Sequence, residues 1–302
     1  MRRVWAVVVT YRPDIEVLRA LLDELVAQTD GVVVVDNTSL EDRRVDAAKR
    51  PGVIIERQGR NLGVAAALNI GIRRAAAAGA DHVLLSDQDS LPAPGMIEGL
   101  VEALEVLQAR GVPVAAVGPL YTDLHTGSTR GFKGVRPGRW FPADLLPAGA
   151  THEVRALTLI TSGTLLPLSA FDAVGPMRED LFIDRVDSEW CLRARDAGWA
   201  VFGTDRARLY QRMGEGRLRV WAFGWRWVST YAPVRIYYQV RNAIFLQRIG
   251  HAGPAWKLRS LWFALGIVYS HTLFGGQRGA CLAMSLRGIR DGLTGRMGPY
   301  RG

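Results

Sequence analysis

Cysteine is almost absent: two in 302 residues, Cys191 and Cys281, far apart and with no CxxC spacing. That excludes a disulfide framework and a cysteine-ligated metal site, and it fits a reducing cytoplasm. The five histidines, His82, His125, His152, His251 and His271, show no ligand spacing either, so each reads as structural or solvated. A targeting segment is also missing from the expectations. "MRRVWAVVVTYRPD" begins basic and turns apolar, but the run is too short for a signal-peptide core and lacks a small-residue cleavage site. It reads as a first β-strand. Acidic residues are scarce in one part of the chain only. From Arg206 onward there are sixteen Lys/Arg against Glu215 and Asp291, whereas residues 1–205 hold 22 basic and 27 acidic residues.

An acidic body therefore carries a basic tail: the net +9 is the tail's +14 offset by the body's −5. Five of the nine tryptophans, Trp221, Trp225, Trp227, Trp256 and Trp262, lie in the same tail. Interleaved cations and amphipathic aromatic rings suit an anionic membrane surface first and nucleic acid second. The nucleic-acid reading has no recognition motif behind it and leaves the acidic clusters of the body unexplained, so no nucleic-acid partner is expected.

What is abundant is short β-branched runs. "VWAVVVTY", "GVVVVDN", "GVIIERQ", "DHVLLSD" and "PVAAVGPLY" alternate with segments of helical spacing or helix-forming composition, such as "RPDIEVLRALLDELVAQ" and "NLGVAAALNIGIRRAAAAGA". This alternation predicts an α/β fold, a mostly parallel sheet wrapped by helices. Residues 122–150, rich in Gly, Pro and Thr without periodicity, are expected to form a long loop or excursion. "WKLRSLWFALGIVYSHTLFGGQR" has helical spacing, but its apolar run falls short of the roughly 20 residues that span a bilayer. An interfacial helix or a helix packed on the body fits it.

In a parallel sheet, ligands sit beyond the carboxyl ends of the strands. Those ends here are polar: Thr10-Tyr11-Arg12, Asp36-Asn37, Asn61-Leu62-Gly63 and Asp87-Gln88-Asp89. Carboxylates so placed can bind a ribose hydroxyl, or hold a hard divalent cation against a diphosphate. Helix capping and turn formation are the structural alternatives for each of them. A further acidic group, "FIDRVDSEWCLRARDAGW", presents Asp184, Asp187 and Glu189 at the start of an expected helix.

The blocks "VVVTYRPD", "VVVVDNTS", "NLGVAAALNIGI", "LLSDQDSLP", "LITSGTLLPLSAFDAVGPMREDLFIDRVDSEWCLRARDAGW" and "YYQVRN" stand in the order found in family 2 glycosyltransferases. The chain resembles their bacterial rhamnosyltransferase branch over about residues 4–250, and "IRDGLTGRMG" is similar as well. The resemblance implies a GT-A fold in residues 1–216, with a basic, Trp-rich helical extension over 217–302. It further implies an inverting transfer from a nucleoside-diphosphate sugar, with dTDP-β-L-rhamnose favoured, to a polyprenyl-diphosphate-linked saccharide, with Mg2+ or Mn2+ as cofactor. A family 2 transferase of another hexose from a UDP-sugar, or a catalytically weakened nucleotide-binding relative, are the alternatives.

By the same resemblance, Thr10, Arg12 and Asp36 contact the nucleotide, Asn61 and Gly63 lie by the base or diphosphate, and Asp87 touches ribose or sugar. Asp89 ligates the metal. Asp187 is the general base, Glu189 positions it or the acceptor, and Trp190 and Arg241 bind the acceptor. One departure stands out: where the family usually has the His of an "HxxG"-like stretch, this chain reads "LYQRMGEG", with Gln211 in its place. An amide oxygen is neutral and a weaker ligand for transition metals than imidazole. Arg212 or Glu215 would then be expected to compensate.

Overall fold

The computed structural model describes residues 2–124, 127–134, 143–147, 151–211 and 216–301. In chain order the first half contains β1 (Val4–Thr10), α1 (Ile15–Gln28), β2 (Gly31–Ser39), β3 (Val53–Gly59), α2 (Val64–Ala77), β4 (His82–Asp87), β5 (Leu91–Pro92), α3 (Met96–Ala109) and β6 (Val114–Asp123). Then come β7 (Thr129–Arg130), β8 (Phe132–Gly134), β9 (Ala143–Leu145), β10 (Glu153–Ala156), β11 (Leu165–Pro167), α4 (Leu168–Val174), α5 (Val186–Asp196) and β12 (Ala200–Gln211). The chain ends with β13 (Arg217–Trp221), β14 (Trp225–Ser229), α6 (Pro233–Phe245), α7 (Pro254–Leu273) and α8 (Arg278–Thr294).

The main sheet runs β10-β12-β6-β11-β4-β1-β2-β3. Pairs β1/β2, β1/β4, β2/β3 and β6/β12 are parallel, while β11 enters antiparallel between β4 and β6. Strands of Val and Leu buried on both faces need cover on both faces. One face is sealed by Leu18, Leu21, Leu22 and Leu25 of α1 with Leu100 and Leu104 of α3. The other is sealed by Leu68 and Ile72 of α2, Ala170 of α4 and Trp190 of α5. Each such fully buried aliphatic side chain contributes about 1.5–3 kcal/mol. Asp14 starts α1 by accepting the Glu16 and Val17 amides at 3.1 and 3.3 Å. This cap fixes where the chain turns away from the end of β1.

The register of the parallel strands decides where the polar tips fall. Thr10 lies beside Asp36, and Val9 beside Asp87, so the carboxyl ends of β1, β2 and β4 are level. Residues 122–150 differ from a plain loop: their described parts form β7 on the sheet and the β8/β9 pair. The extension beyond residue 216 is helical over α6, α7 and α8 as expected, and it additionally opens on the β13/β14 hairpin. Leu218 and Val220 alternate there with Arg217, Arg219 and Trp221, a two-residue period that a helix cannot use.

Helices α6 and α8 approach closely. A Cβ on Gly288 or Gly292 would meet the Tyr237 or Arg241 carbonyl oxygen at 2.8 Å, which explains the glycines of "GIRDG". Among the described residues no helix is long and apolar enough to cross a membrane. Both cysteines are free and buried.

Candidate active site

A crevice of about 580 Å³ opens at the carboxyl ends of β1, β2 and β4. Its lining brings together Thr10, Asn37, Asn61, Gly63, Asp87 and Asp89 from the first half of the chain with Asp184, Asp187, Gln211 and Arg235 from the second.

Asp36 lies just behind this wall and is fully buried. Its Oδ1 accepts from the Thr10 and Thr38 hydroxyls at 2.9 and 2.7 Å, and its Oδ2, buried without a hydrogen bond among the described residues, pairs with Arg57 Nε at 4.0 Å. Asn37 shapes the next turn: its amide donates to the Gly63 carbonyl at 3.2 Å, and Asn61 Oδ1 accepts the Gly63 amide at 2.9 Å. Gly63 has φ 87° and ψ 166°, a region open essentially to glycine alone. A Cβ there would lie 2.6 Å from the Phe182 carbonyl oxygen. Arg12 does not line the crevice; its side chain is exposed, with the guanidinium over the Tyr11 ring.

The Asp87-Gln88-Asp89 tip is held by residues distant in sequence. Ser162 Oγ donates to Asp87 Oδ2 at 2.6 Å and accepts the Asp87 amide at 3.0 Å. Gln211 Nε2 donates to the same Oδ2 at 3.2 Å. Gln88 binds both backbone groups of Tyr11, tying the ends of β1 and β4 together. Asp89 stands exposed at the rim.

Among the described residues no three His, Cys, Asp or Glu side chains form a metal-holding group. The amide orientation that lets Gln211 bond Asp87 leaves its Oε1 buried and without a partner among the described residues. Asp87 and Asp89 offer carboxylate oxygens, which suit a hard Mg2+ or Mn2+ ion, whereas Gln211 turns its N–H rather than its Oε1 toward Asp87. Arg212 and Glu215 lie outside the described residues.

On the opposite wall, residues 182–185 form a tight turn leading into α5, with positive φ at Phe182, Asp184 and Arg185. Such geometry persists only when its surroundings hold it. The clamp is on α6: the Asn242 amide donates to the carbonyls of Leu181, Ile183 and Asp184 at 3.1, 2.8 and 2.9 Å, and Arg241 donates to Leu181 O at 2.8 Å. Arg235 completes the wall with an ion pair to Asp184 at 3.2 Å. Asp187, at the first turn of α5, accepts the Ser188 amide at 2.6 Å. Burial, chiefly, together with the Asp87 and Asp184 charges, pushes its carboxyl up to about 6. Such a group is ionised at neutral pH yet basic enough to take a proton.

Three residues assigned from the sequence face elsewhere. Glu189 is buried beneath α5 in a two-point pair with Arg193 at 3.0 and 3.1 Å, and His251 is 3.2 Å away. Trp190 is core, its indole donating to the Gly175 carbonyl at 2.9 Å. Arg241 is fully buried and bonded to backbone carbonyls, so it shapes the turn rather than meeting an acceptor. Ser162 and Tyr231 reach the site without having been singled out. Of the arginines and tyrosines on α6, only Arg235 lines the crevice.

Comparison with known proteins gives the family and the fold. Residues 5–143 match the family model for glycosyl transferase family 2. The dTDP-rhamnosyl transferase RfbF of Shigella flexneri is 32% identical over 265 residues, covering 87% of this chain and 86% of that protein. The crystal structure of GalNAc-T7 with UDP, GalNAc and Mn2+ superposes with a TM-score of 0.58 at 13% identity, over 88% of this chain and 55% of that one. S. aureus TarS gives 0.51 at 15% identity, over 97% and 49%. The chain spans about half the length of these two solved structures, and at such identities they bear on the fold alone: it is GT-A. Its sheet, its crevice and a relative alike along most of its length make the chain a member of the family 2 glycosyltransferases.

Proposed function

We propose that this glycosyltransferase moves L-rhamnose from dTDP-β-L-rhamnose to a lipid-diphosphate-linked saccharide, with inversion, during bacterial surface-polysaccharide synthesis. The observation that carries the reaction is the pair of facing walls: Asp87 and Asp89 on one side, Asp187 with its raised proton affinity on the other. The donor sugar rests on the likeness to RfbF of Shigella flexneri.

The nucleotide lies along the strand tips, with Thr10, Asn37 and the 61–63 turn as its floor and Asp36 behind it, holding the Thr10 hydroxyl. Asp89 and Asp87 would hold a divalent cation, which would supply charge neutralisation for the departing diphosphate; Gln211 would join them by turning its amide over, so that Oε1 replaces the Nε2 now facing Asp87. Arg235, paired with Asp184, adds a cation from the facing wall. An acceptor hydroxyl placed against Asp187 loses its proton to the carboxylate as its oxygen bonds to the anomeric carbon. That carbon releases the dTDP oxygen on the opposite face, so the configuration inverts in a single displacement. A base so placed is worth about 10²–10⁴-fold.

Residues 1–216 carry the carboxylates of this catalysis, while the segment 217–302 lends Arg235 to the crevice and docks the enzyme on the inner face of the plasma membrane. The support is an exposed apolar set beside basic side chains. Phe223, at the hairpin tip, is 97% exposed and Trp262 on α7 is 77% exposed, with Trp221, Trp225 and Trp227 exposed between Arg217, Arg219 and Arg226. Aromatic rings and cations so mixed favour an anionic lipid surface.

A melting-point panel with dTDP, UDP and GDP, each with and without Mn2+, tests the donor. Because a ligand selective for the folded state raises its stability, dTDP plus metal is expected to give the largest rise. An equal or larger rise with UDP would replace the rhamnose assignment by another hexose.

A further inference from the structure

Beside the catalytic crevice lies a second cleft of about 150 Å³, and its lining is cationic: Lys133, Arg185 and Arg259, with Ser260, Trp256 and Phe263. Among the described residues no Asp or Glu lines it. Two of its polar atoms are buried with no hydrogen-bond partner among the described residues, Arg185 Nε and Ser260 Oγ. The Arg185 guanidinium is fixed by a bond to the Ser260 carbonyl at 3.3 Å and by the Trp256 and Phe263 rings, each 5.9 Å from it. A preset guanidinium with a buried, unpaired N–H, a second cation and an open hydroxyl are the chemistry of a phosphate site.

Position ties this cleft to the reaction. Arg185 also lines the donor crevice, Ser188 of the cleft follows Asp187, and a connecting pocket holds Asp187, Ser188, Thr158 and Lys133 together. In the other direction the cleft opens at α7, where its lining residue Phe263 is exposed and Trp262, about 100° round the helix, is exposed next to it. One molecule laid through it would have a saccharide at Asp187, its negative charge between the cations, and a hydrocarbon tail along α7. Resting on the reading of the acceptor as a lipid-diphosphate saccharide, we infer that this cleft binds the acceptor's diphosphate through Arg185, Arg259, Lys133 and Ser260.

The test uses the full chain with its donor crevice saturated by dTDP and Mg2+, titrated calorimetrically with undecyl diphosphate, undecyl glucoside and inorganic pyrophosphate. Undecyl diphosphate is expected to bind more tightly than the other two. Arg259→Gln and Lys133→Gln, both away from the donor nucleotide, are each expected to weaken it about tenfold, the loss of one charge-assisted bond, with dTDP affinity unchanged. Tight binding that both variants leave intact overturns the cleft and spares the acceptor reading. No preference of the unaltered protein for undecyl diphosphate over undecyl glucoside overturns both. Pyrophosphate binding as tightly as undecyl diphosphate marks a general anion site and overturns the assignment to a lipid.

Discussion

Asp187→Asn should make this protein more stable and inactive at once, with a stability gain that depends on pH. The carboxyl group rises from 3.8 to about 6 on folding, first through burial and then through the Asp87 and Asp184 charges. A raised folded value means that the native state holds the proton more tightly than the unfolded chain. Stability from this group is therefore full below about pH 4 and is lost as pH rises through about 6. Two units correspond to about 3 kcal/mol at pH 7.5, the cost of keeping an ionised carboxylate in place. Asn keeps the acceptor for the Ser188 amide and removes the charge. Urea unfolding at several pH values reads the difference. The linkage gives a variant advantage that grows by about 1.4 kcal/mol between pH 5 and pH 7.5, while transfer falls by about 10²-fold or more. In the unaltered enzyme, kcat/KM should drop about tenfold per pH unit below about 6. A stability difference independent of pH, or an advantage for the unaltered protein at pH 7.5, would refute the idea that Asp187 is held as a strained base.

Other perturbations address separate parts of the site. Ser162→Ala removes the 2.6 Å donor to Asp87 and should weaken dTDP binding about tenfold or more, read by calorimetry; unchanged affinity would mean that Ser162 does not orient Asp87. Gly63→Ala meets the Phe182 carbonyl in a glycine-only conformation and should cost about 3 kcal/mol or more, read as a lowered urea midpoint; a neutral effect would contradict the fit of the turn. Gln211→His exchanges an amide for an imidazole and should tighten Mn2+ binding about tenfold, measured by electron spin resonance of free Mn2+; no change would place Gln211 outside the metal's reach. Replacing Phe223, Trp225 and Trp262 by Ser together removes exposed aromatic surface and should abolish sedimentation with anionic vesicles at unchanged melting point. Retained sedimentation would refute the docking surface.

The strand tips were legible because two physical patterns coincide: apolar runs that must be buried, ending in polar residues at one edge of a parallel sheet. Thr10, Asn37, Asn61, Gly63 and Asp87 all line that edge. Helix faces were harder. Asp187 and Glu189 are two positions apart on α5, about 200° around the axis, so with Asp187 in the crevice Glu189 is turned into Arg193 and His251. Trp190 and Arg241 are large side chains that a sequence cannot orient; one fills the core and the other reaches backbone carbonyls of the 181–185 turn. Ser162 carried no periodic signal, since its contact with Asp87 spans 75 positions and depends on β11 entering antiparallel beside β4. The β13/β14 hairpin was hidden by the helical spacing around it.

The most direct test of the account is transfer itself. Unaltered and Asp187→Asn protein are incubated with dTDP-β-L-rhamnose, Mg2+ and a synthetic lipid-diphosphate saccharide, and the anomeric proton of the product is followed by nuclear magnetic resonance. The account predicts an α-linked rhamnosyl product from the unaltered enzyme, and from the variant a rate lower by about 10²-fold or more. A β-linked product, or undiminished transfer by Asp187→Asn, would contradict it.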